Sequence, residues 1–307
     1  MNIDIAICTR DRATPLEQTL QSMADMKCPS TIHLRFLVVD NASGDNTKSV
    51  VQSFFDRLNL SLFHESNPGH TFARNHAIEQ ATGDWMIWTD DDVEVDIHWL
   101  TAYTTAIQKF QNSIFFGGPI QPVFASGQPS WIQENWEKLK GCFAERQLGE
   151  TSFPFSRNKL PYGANFAIRT DIQKQNPFNT ELGRQGDSVV GHDEITLFHN
   201  LLEQGYEGHW IPSARLSHMI GPERQTASYI RKYFIGQGRM LVASGQQWNS
   251  NAKQLARQSR WELFCSRIKR LIANSDTWTS HLICSALAEG QYLELTDRST
   301  ETETPSP

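Results

Sequence analysis

The chain has 307 residues, 39% hydrophobic and 20% charged, which is ordinary for a folded protein and enough for one large core or two modest ones. Its formal net charge of -6 argues against a bulk electrostatic grip on nucleic acid, because such a grip needs a basic field against phosphates. The five cysteines (Cys8, Cys28, Cys142, Cys265, Cys284) are odd in number and too scattered for a zinc pattern, so they read as reduced thiols in a reducing compartment.

Met1-Asn2-Ile3-Asp4 enters a strand at once, residues 3–8, with no basic region ahead of a long apolar stretch, so no signal peptide is expected. Thr14-Pro15-Leu16-Glu17 then reads as a helix start, with Thr14 as N-cap, Pro15 in the first turn and Glu17 closing a capping box. Leu16, Leu20 and Met23 give that helix an apolar face. Residues 36–40 are a buried-type strand ending in Asp40, residues 41–46 are turn chemistry, and 47–58 read as helix. A third strand spans 60–64 and a third helix 71–81, stopped by Thr82-Gly83. Trp85-Met86-Ile87-Trp88-Thr89 is a fourth strand that runs into Asp90-Asp91-Asp92.

This alternation predicts an α/β fold with right-handed crossovers and a mixed, mainly parallel sheet flanked by helices. Such sheets bind ligands beyond the carboxyl ends of their strands. Thr9, Asp40 and Asp90 each follow a strand, and are therefore expected on one edge of the sheet. The second half is less regular. Residues 124–159 form an excursion rich in Pro, Gly, Ser and Trp, with a helix near 132–140. Strands are expected over 162–170 and 209–217, a helix over 195–204 ended by Gly205, a basic helix over 228–244, and a helical tail to about residue 295. No apolar run reaches the roughly 20 residues that cross a bilayer.

Three adjacent carboxylates at a strand end repel one another unless a cation relieves them. A hard divalent ion with oxygen ligands does so and suits a diphosphate; the bland alternative is a solvated acidic turn. In extended geometry Asp90 and Asp92 point one way and Asp91 the other. Asp40 either meets a nucleoside or closes an Asx-turn with Ser43. Arg74 follows the glycine loop Asn67-Pro68-Gly69 and either meets phosphate or the acids, or lies on the surface as most helical arginines do. Trp131 and Trp136 either stack on acceptor sugars or anchor a flap.

Five segments in order resemble a family 2 glycosyltransferase of the GT-A (Rossmann-like) fold: Ile5 through Arg12, Val38 through Ser43, Asn67-Pro68-Gly69 with Ala73-Arg74-Asn75, Asp90-Asp91-Asp92, and Gly163 through Arg169. The likeness covers residues 1–240. It implies a glycosyltransferase domain over 1–222, with a nucleotide-binding half over 1–122 and an acceptor half over 123–222. A helical C-terminal extension over 223–295 and a disordered tail over 296–307 complete the expected organisation.

The resemblance implies a nucleotide-diphosphate sugar donor (UDP-linked by family habit), Mn²⁺ or Mg²⁺ on the diphosphate, and inversion at the anomeric carbon. Thr9, Arg10, Arg12, Asp40, Asn41, Asn67, Gly69, Arg74, Asp90, Asp91, Gly163 and Asn165 would contact the donor. Asp92, Asp90 and His218 would hold the metal, with a hydrogen-bonded strand-end histidine as the alternative for His218. The base would come from Gly191-His192-Asp193-Glu194-Ile195. Register on Leu201-Leu202 and Gly205-Tyr206 sets Glu194 at the base position with Asp193 as its rival, the reverse of the family's Glu-Asp order. Both acids also suit a helix N-terminus. Arg224, Arg239 and Trp131 are expected near diphosphate or acceptor, although Arg231, Lys232 and most such charges form a solvated face. The implied acceptor is a saccharide or lipid-linked glycan in polysaccharide or glycolipid assembly. The implied location is the cytoplasm or the inner face of the membrane, with peripheral membrane association, no transmembrane segment and no nucleic acid. Two readings compete: an inactive nucleotide-sugar or carbohydrate binder on the same scaffold, supported by the swapped acid pair, and a nucleotidyltransferase, which lacks the Gly-rich loop it needs.

Overall fold

A computed structural model describes residues 1–180, 193–243 and 251–301, with 298–301 as backbone. The strands are β1 (Asn2–Thr9), β2 (His33–Asp40), β3 (Leu60–His64), β4 (Trp85–Thr89), β5 (Val93–Val95), β6 (Ser113–Gly117), β7 (Ile120–Phe124), β8 (Asn165–Arg169), β9 (Glu207–Trp210) and β10 (Leu216–Ile220). The helices are α1 (Ala13–Asp25), α2 (Thr47–Gln52), α3 (His70–Gln80), α4 (Trp99–Lys109), α5 (Ser130–Glu134), α6 (Trp136–Leu139), α7 (Thr170–Gln175), α8 (Asp193–Glu203), α9 (Ala227–Ala243), α10 (Ala252–Ile272) and α11 (Ser275–Glu301). Short 3₁₀ turns cover Lys140–Phe143 and Pro222–Gln225.

The main sheet has the order β3-β2-β1-β4-β8-β6-β9, and β5-β10-β7 form a small second sheet. β3, β2, β1 and β4 run parallel, while β8 is antiparallel to β4 and to β6. The central strands are largely apolar because both faces are covered, and successive side chains alternate between two cores, with buried Asp4 of β1 paired to Arg35 of β2 at 2.8 Å. Ile3, Ile5 and Ile7 of β1 join Phe36, Val38, Trp85 and Ile87 beneath Leu16 and Leu20 of α1 and Trp99 and Tyr103 of α4. Ala6 and Cys8 join Leu37, Val39, Met86 and Trp88 under Ala73 and Ala77 of α3 and Leu197, Phe198 and Leu201 of α8.

The described residues form two compact units. The first takes 1–123, 144–180 and 193–220; the second takes 124–143 and the chain from 221 onward. The sequence had assigned 124–143 to the first domain. Within the second unit, Trp131 of α5 packs on Trp278 of α11 with ring centroids 5.1 Å apart, and Asn135 donates to Ser275 Oγ at 3.1 Å. That unit is built mainly from α9, α10 and α11. An added Cβ at Gly238 would lie 2.3 Å from the Leu287 carbonyl, and one at Gly290 2.0 Å from that of Ile235, so α9 and α11 cross with almost no side chain between them.

Four local expectations change. α1 starts at Ala13, so Thr14 is not its cap and the expected capping box does not form; Asp45 Oδ2 instead accepts from Ala13 N at 3.0 Å. α2 ends at Gln52, where turns take over. The single strand expected over 209–217 is two strands in different sheets, separated by the turn in which Ala214 N donates to Ile211 O at 3.1 Å. The tail expected to be disordered from Thr296 continues α11 to Glu301, with Thr296 Oγ1 donating back to Tyr292 O and Asp297 pairing with Arg239; residues 302–307 lie outside the described residues. Among the described residues, no helix is long and apolar enough to cross a membrane.

Candidate active site

The parallel registers set the geometry. Thr9 is level with Asp40, and Asp40 with His64, while Ile7 is level with Thr89. The ends of β2, β1 and β4 therefore deliver Asp40, Thr9 and Asp90 to one edge of the sheet, as expected from the strand pattern.

From that edge the chain runs through the acid triplet into β5, and β10 pairs antiparallel with β5, bringing His218 opposite Val93. Met219 N donates to Asp92 O at 2.8 Å, which fixes the two segments side by side. Asp90, Asp92 and His218 each offer a ligand atom, and these atoms lie within 4.8 Å of one another. His218 Nε2 is 3.2 Å from Asp92 Oδ1. Two carboxylates and an imidazole, converging from two elements, form a donor set that fits a divalent cation. The triplet forms a turn between β4 and β5 and not the extended segment expected, and Asp91 stands outside the convergent set: its Oδ2 accepts from Thr9 Oγ1 at 2.7 Å and its Oδ1 from Arg12 Nε at 2.8 Å. Arg12 Nη2 also donates to Asp92 Oδ2 at 2.6 Å, so one guanidinium braces the triplet. Thr9 and Arg12, expected at the donor, thus bind Asp91 directly.

A second acidic pair opens α8. Arg74 of α3 is buried, with Nη1 2.8 Å from Asp193 Oδ2 and 3.5 Å from Glu194 Oε2. Its guanidinium lies over the rings of Phe178 and Trp88, at 4.9 and 5.7 Å. Arg74 is therefore a buried counter-ion, not a surface residue. The two acids differ in consequence. Burial is the largest influence on Asp193 and would raise it, but Arg74, His70 and the hydrogen bonds to the carboxylate together hold it below the usual range. Burial, then the neighbouring Asp193 charge, pushes Glu194 up to about 7 against the pull of Arg74. Glu194 nevertheless keeps 18% of its side chain exposed, against 2% for Asp193. Arg74 also feels the charge of Asp90, so both acidic sets share one electrostatic neighbourhood. Gly163 seals it from below: a Cβ there would sit 2.6 Å from Arg74 Nη2 and 3.0 Å from Glu194 Oε1. Gly191 and His192 lie outside the described residues.

The remaining expected contacts divide. Asp40 does form the Asx-turn, its Oδ1 accepting from Ser43 N at 3.0 Å, while Oδ2 stands 3.9 Å from His64 Nδ1. Asn41 braces the next loop, donating to Glu65 O and Asn67 O at 3.1 and 2.6 Å and accepting from Gly69 N at 2.9 Å. Asn67 is exposed on that loop, and Gly69 adopts φ 142°, a region that favours glycine. Arg10 is solvent-facing, 3.7 Å from Asp11 Oδ2. Asn165 is a correction: it is fully buried, its Oδ1 accepting from Trp99 Nε1 and Tyr103 OH and its Nδ2 donating to Pro119 O and Ala214 O, all within 2.7–2.8 Å. Its side chain positions the β8 edge and has no surface to offer a donor. In the second unit, Arg239 pairs with Asp297 and Glu294, Arg224 donates to Tyr229 OH at 3.1 Å, and Trp131 is held by Trp278. Arg224 and Arg239 thus have partners within this unit instead of forming a solvated face, and Trp131 packs as an anchoring residue would.

Sequence reasoning missed Thr19. Its hydroxyl donates to Val93 O at 2.8 Å and accepts from Val93 N at 3.0 Å, clamping the residue after Asp92. A threonine inside the Leu16-Leu20-Met23 stripe was the available signal. His70, at the start of α3, was also missed; its charge helps hold Asp193 ionised.

The profile of the family described as glycosyl transferase family 2 matches residues 4–166, just over half of the chain. A glucosyl-dolichyl phosphate glucuronosyltransferase of Haloferax volcanii is 23% identical over 249 residues, covering 79% of this chain and 77% of that protein. The succinoglycan biosynthesis protein ExoM of Rhizobium meliloti is 27% identical over 262 residues, covering 81% and 79%. The mannosyltransferase PcManGT of Pyrobaculum calidifontis, solved with GDP-Man and Mn²⁺, superposes with a TM-score of 0.61 at 17% identity over 96% of this chain and 87% of that one. These likenesses agree with a GT-A sheet. The matched span holds β1 to β4 and the acid triplet, and on that match the chain belongs to glycosyl transferase family 2 and is a glycosyltransferase.

Proposed function

We propose that the chain transfers a sugar from a nucleotide-diphosphate sugar to a saccharide or lipid-linked acceptor, with inversion by a single displacement. A UDP-sugar is the first donor to test. The setting is polysaccharide or glycolipid assembly, supported by the names of two relatives, a succinoglycan biosynthesis protein and a glucosyl-dolichyl phosphate glucuronosyltransferase, and we place it at the inner face of the membrane. Residues 1–122 serve as the nucleotide half, and Asp40 and Asp90 face the nucleoside from the strand ends.

The observation that carries this reading is the split acid pair beside a convergent ligand set. Asp90, Asp92 and His218 would hold Mn²⁺ or Mg²⁺, which when bound neutralises charge on a departing diphosphate. Arg12 holds Asp92 in place for this, and Thr19 fixes the following residue. Asp193 stays ionised on Arg74. That leaves Glu194, raised and partly exposed, to take the acceptor hydroxyl proton as the oxygen attacks the anomeric carbon. The Glu194 carboxylate accepts that proton, the new glycosidic C–O bond forms, and the bond to the diphosphate breaks.

The test is a thermal-shift screen of nucleotide diphosphates with and without Mn²⁺, followed by transfer assays. A nucleotide that raises the melting temperature in a concentration-dependent, Mn²⁺-dependent way is expected. Binding without turnover in any sugar and acceptor combination would favour the inactive binder.

A further inference from the structure

We infer that the outward face of α10 seats the protein on an anionic lipid bilayer. Trp261, Phe264, Ile268, Leu271 and Ile272 recur three or four residues apart and form one stripe along the helix. They are among the most exposed large apolar side chains described: Trp261 63%, Leu271 85% and Ile272 74%. The opposite side of α10 is already committed. Leu255, Ser259 and Ser266 are buried there, Ser285 Oγ of α11 donates to Ser259 O at 2.9 Å, and Ser266 Oγ donates to Trp278 O at 3.0 Å. The helix thus has two stripes back to back, one packed and one facing out.

Charge decides what the outer stripe meets. The chain carries -6 overall, yet α10 holds six basic residues (Lys253, Arg257, Arg260, Arg267, Lys269, Arg270) and one acid, Glu262, whose carboxylate contacts His281. Arg260 and Arg267 border the stripe beside Phe264, and Lys253 and Arg257 extend the same face toward the N-terminus. An exposed Trp/Phe/Leu stripe edged by arginines and lysines is the pattern of a helix lying in a headgroup layer, its cations on anionic lipid and its apolar side chains at the acyl boundary. A second copy of the chain would bring like-charged arginines together across a twofold contact, which opposes dimerisation by this face. The inference locates the membrane attachment assumed in the proposed function. Lipid binding needs no donor or acceptor, so it can be tested apart from catalysis.

The experiment is co-sedimentation of the full chain with vesicles of equal parts phosphatidylcholine and phosphatidylglycerol, and with phosphatidylcholine alone. The expected result is pelleting with the mixed vesicles, weakened by high salt, and little with the neutral ones. Phe264→Glu should lower binding roughly tenfold or more by removing the apolar anchor. Arg260→Gln with Arg267→Gln should lower it by about tenfold through charge alone. Both changes are at exposed positions, and an unchanged thermal transition checks folding. Equal pelleting of wild type and the double-glutamine variant, or none by wild type, overturns the inference. So does a fall in solution mass on Phe264→Glu without vesicle binding, which would assign the face to a second copy.

Discussion

The two acidic runs of the first unit look alike in sequence and behave differently in space. Asp90-Asp91-Asp92 and Asp193-Glu194 each place adjacent carboxylates beside one arginine. Arg12 keeps 37% of its side chain exposed and braces acids that converge with His218, whereas Arg74 is 4% exposed and sits against two aromatic rings. In the first set Asp90 is half-buried, while Asp92 and His218 are buried. Burial lets the second set split two carboxylates into one fixed anion and one group that titrates near neutrality. The roles proposed for the two sets, cation ligands and proton acceptor, rest on this difference in the depth of the partnering guanidinium.

The sharpest way to break this contrast is Glu194→Gln, expected to cut transfer by about 1000-fold while donor-induced thermal shifts persist. Should Asp193→Asn do this instead, the two roles are reversed. Next is Arg74→Gln, which leaves buried Asp193 and half-buried Glu194 without their cation. A loss of about 3–5 kcal/mol on denaturant unfolding is expected. Arg12→Gln, at a half-exposed position, should cost far less. Asp92→Ala should weaken Mn²⁺-supported nucleotide binding by more than about 100-fold, read by calorimetry, since removing even a residue that only supports a ligand costs roughly 10–100-fold.

Acidification gives a further test with a defined sign. Glu194 must be ionised to accept a proton, and its carboxyl is raised to about 7, so kcat should fall below that pH by about tenfold per unit and level off above it. A limb near the ordinary glutamate range would remove Glu194 from the role. The smallest effect belongs to Thr19→Val, which deletes both hydrogen bonds to Val93. About 1–3 kcal/mol of stability is expected to go, with a modest loss of metal affinity, because Val93 N–H and C=O are left buried.

Periodicity made the sheet edge legible: apolar strands ending in Thr9, Asp40 and Thr89-Asp90 are readable because each strand is buried on both faces. The family resemblance, registered on Leu201-Leu202 and Gly205-Tyr206, brought Asp193 and Glu194 into view. What could not be read was depth. Arginines are usually exposed, so nothing in Ala73-Arg74-Asn75 announced a buried guanidinium whose partner lies 119 residues away. Asn165 misled for a related reason, since a polar residue in a ligand-lining segment can serve the scaffold when Trp99, Tyr103 and two carbonyls absorb its whole hydrogen-bonding capacity. The outward stripe of α10 was hidden in a tail read only as helical, because the packed face of that helix carries Ser259 and Ser266 while the apolar stripe faces out, the reverse of the usual pattern.

Gly163 carries a consequence for anyone redesigning this protein. A methyl group at that position would collide with the Arg74 guanidinium and crowd the tip of Glu194. Libraries that vary neighbouring positions to change sugar preference should hold this one fixed. An alanine there would displace the Arg74–Glu194 pair, and on the proposed role of Glu194 any shift in selectivity would be confounded with a change in rate.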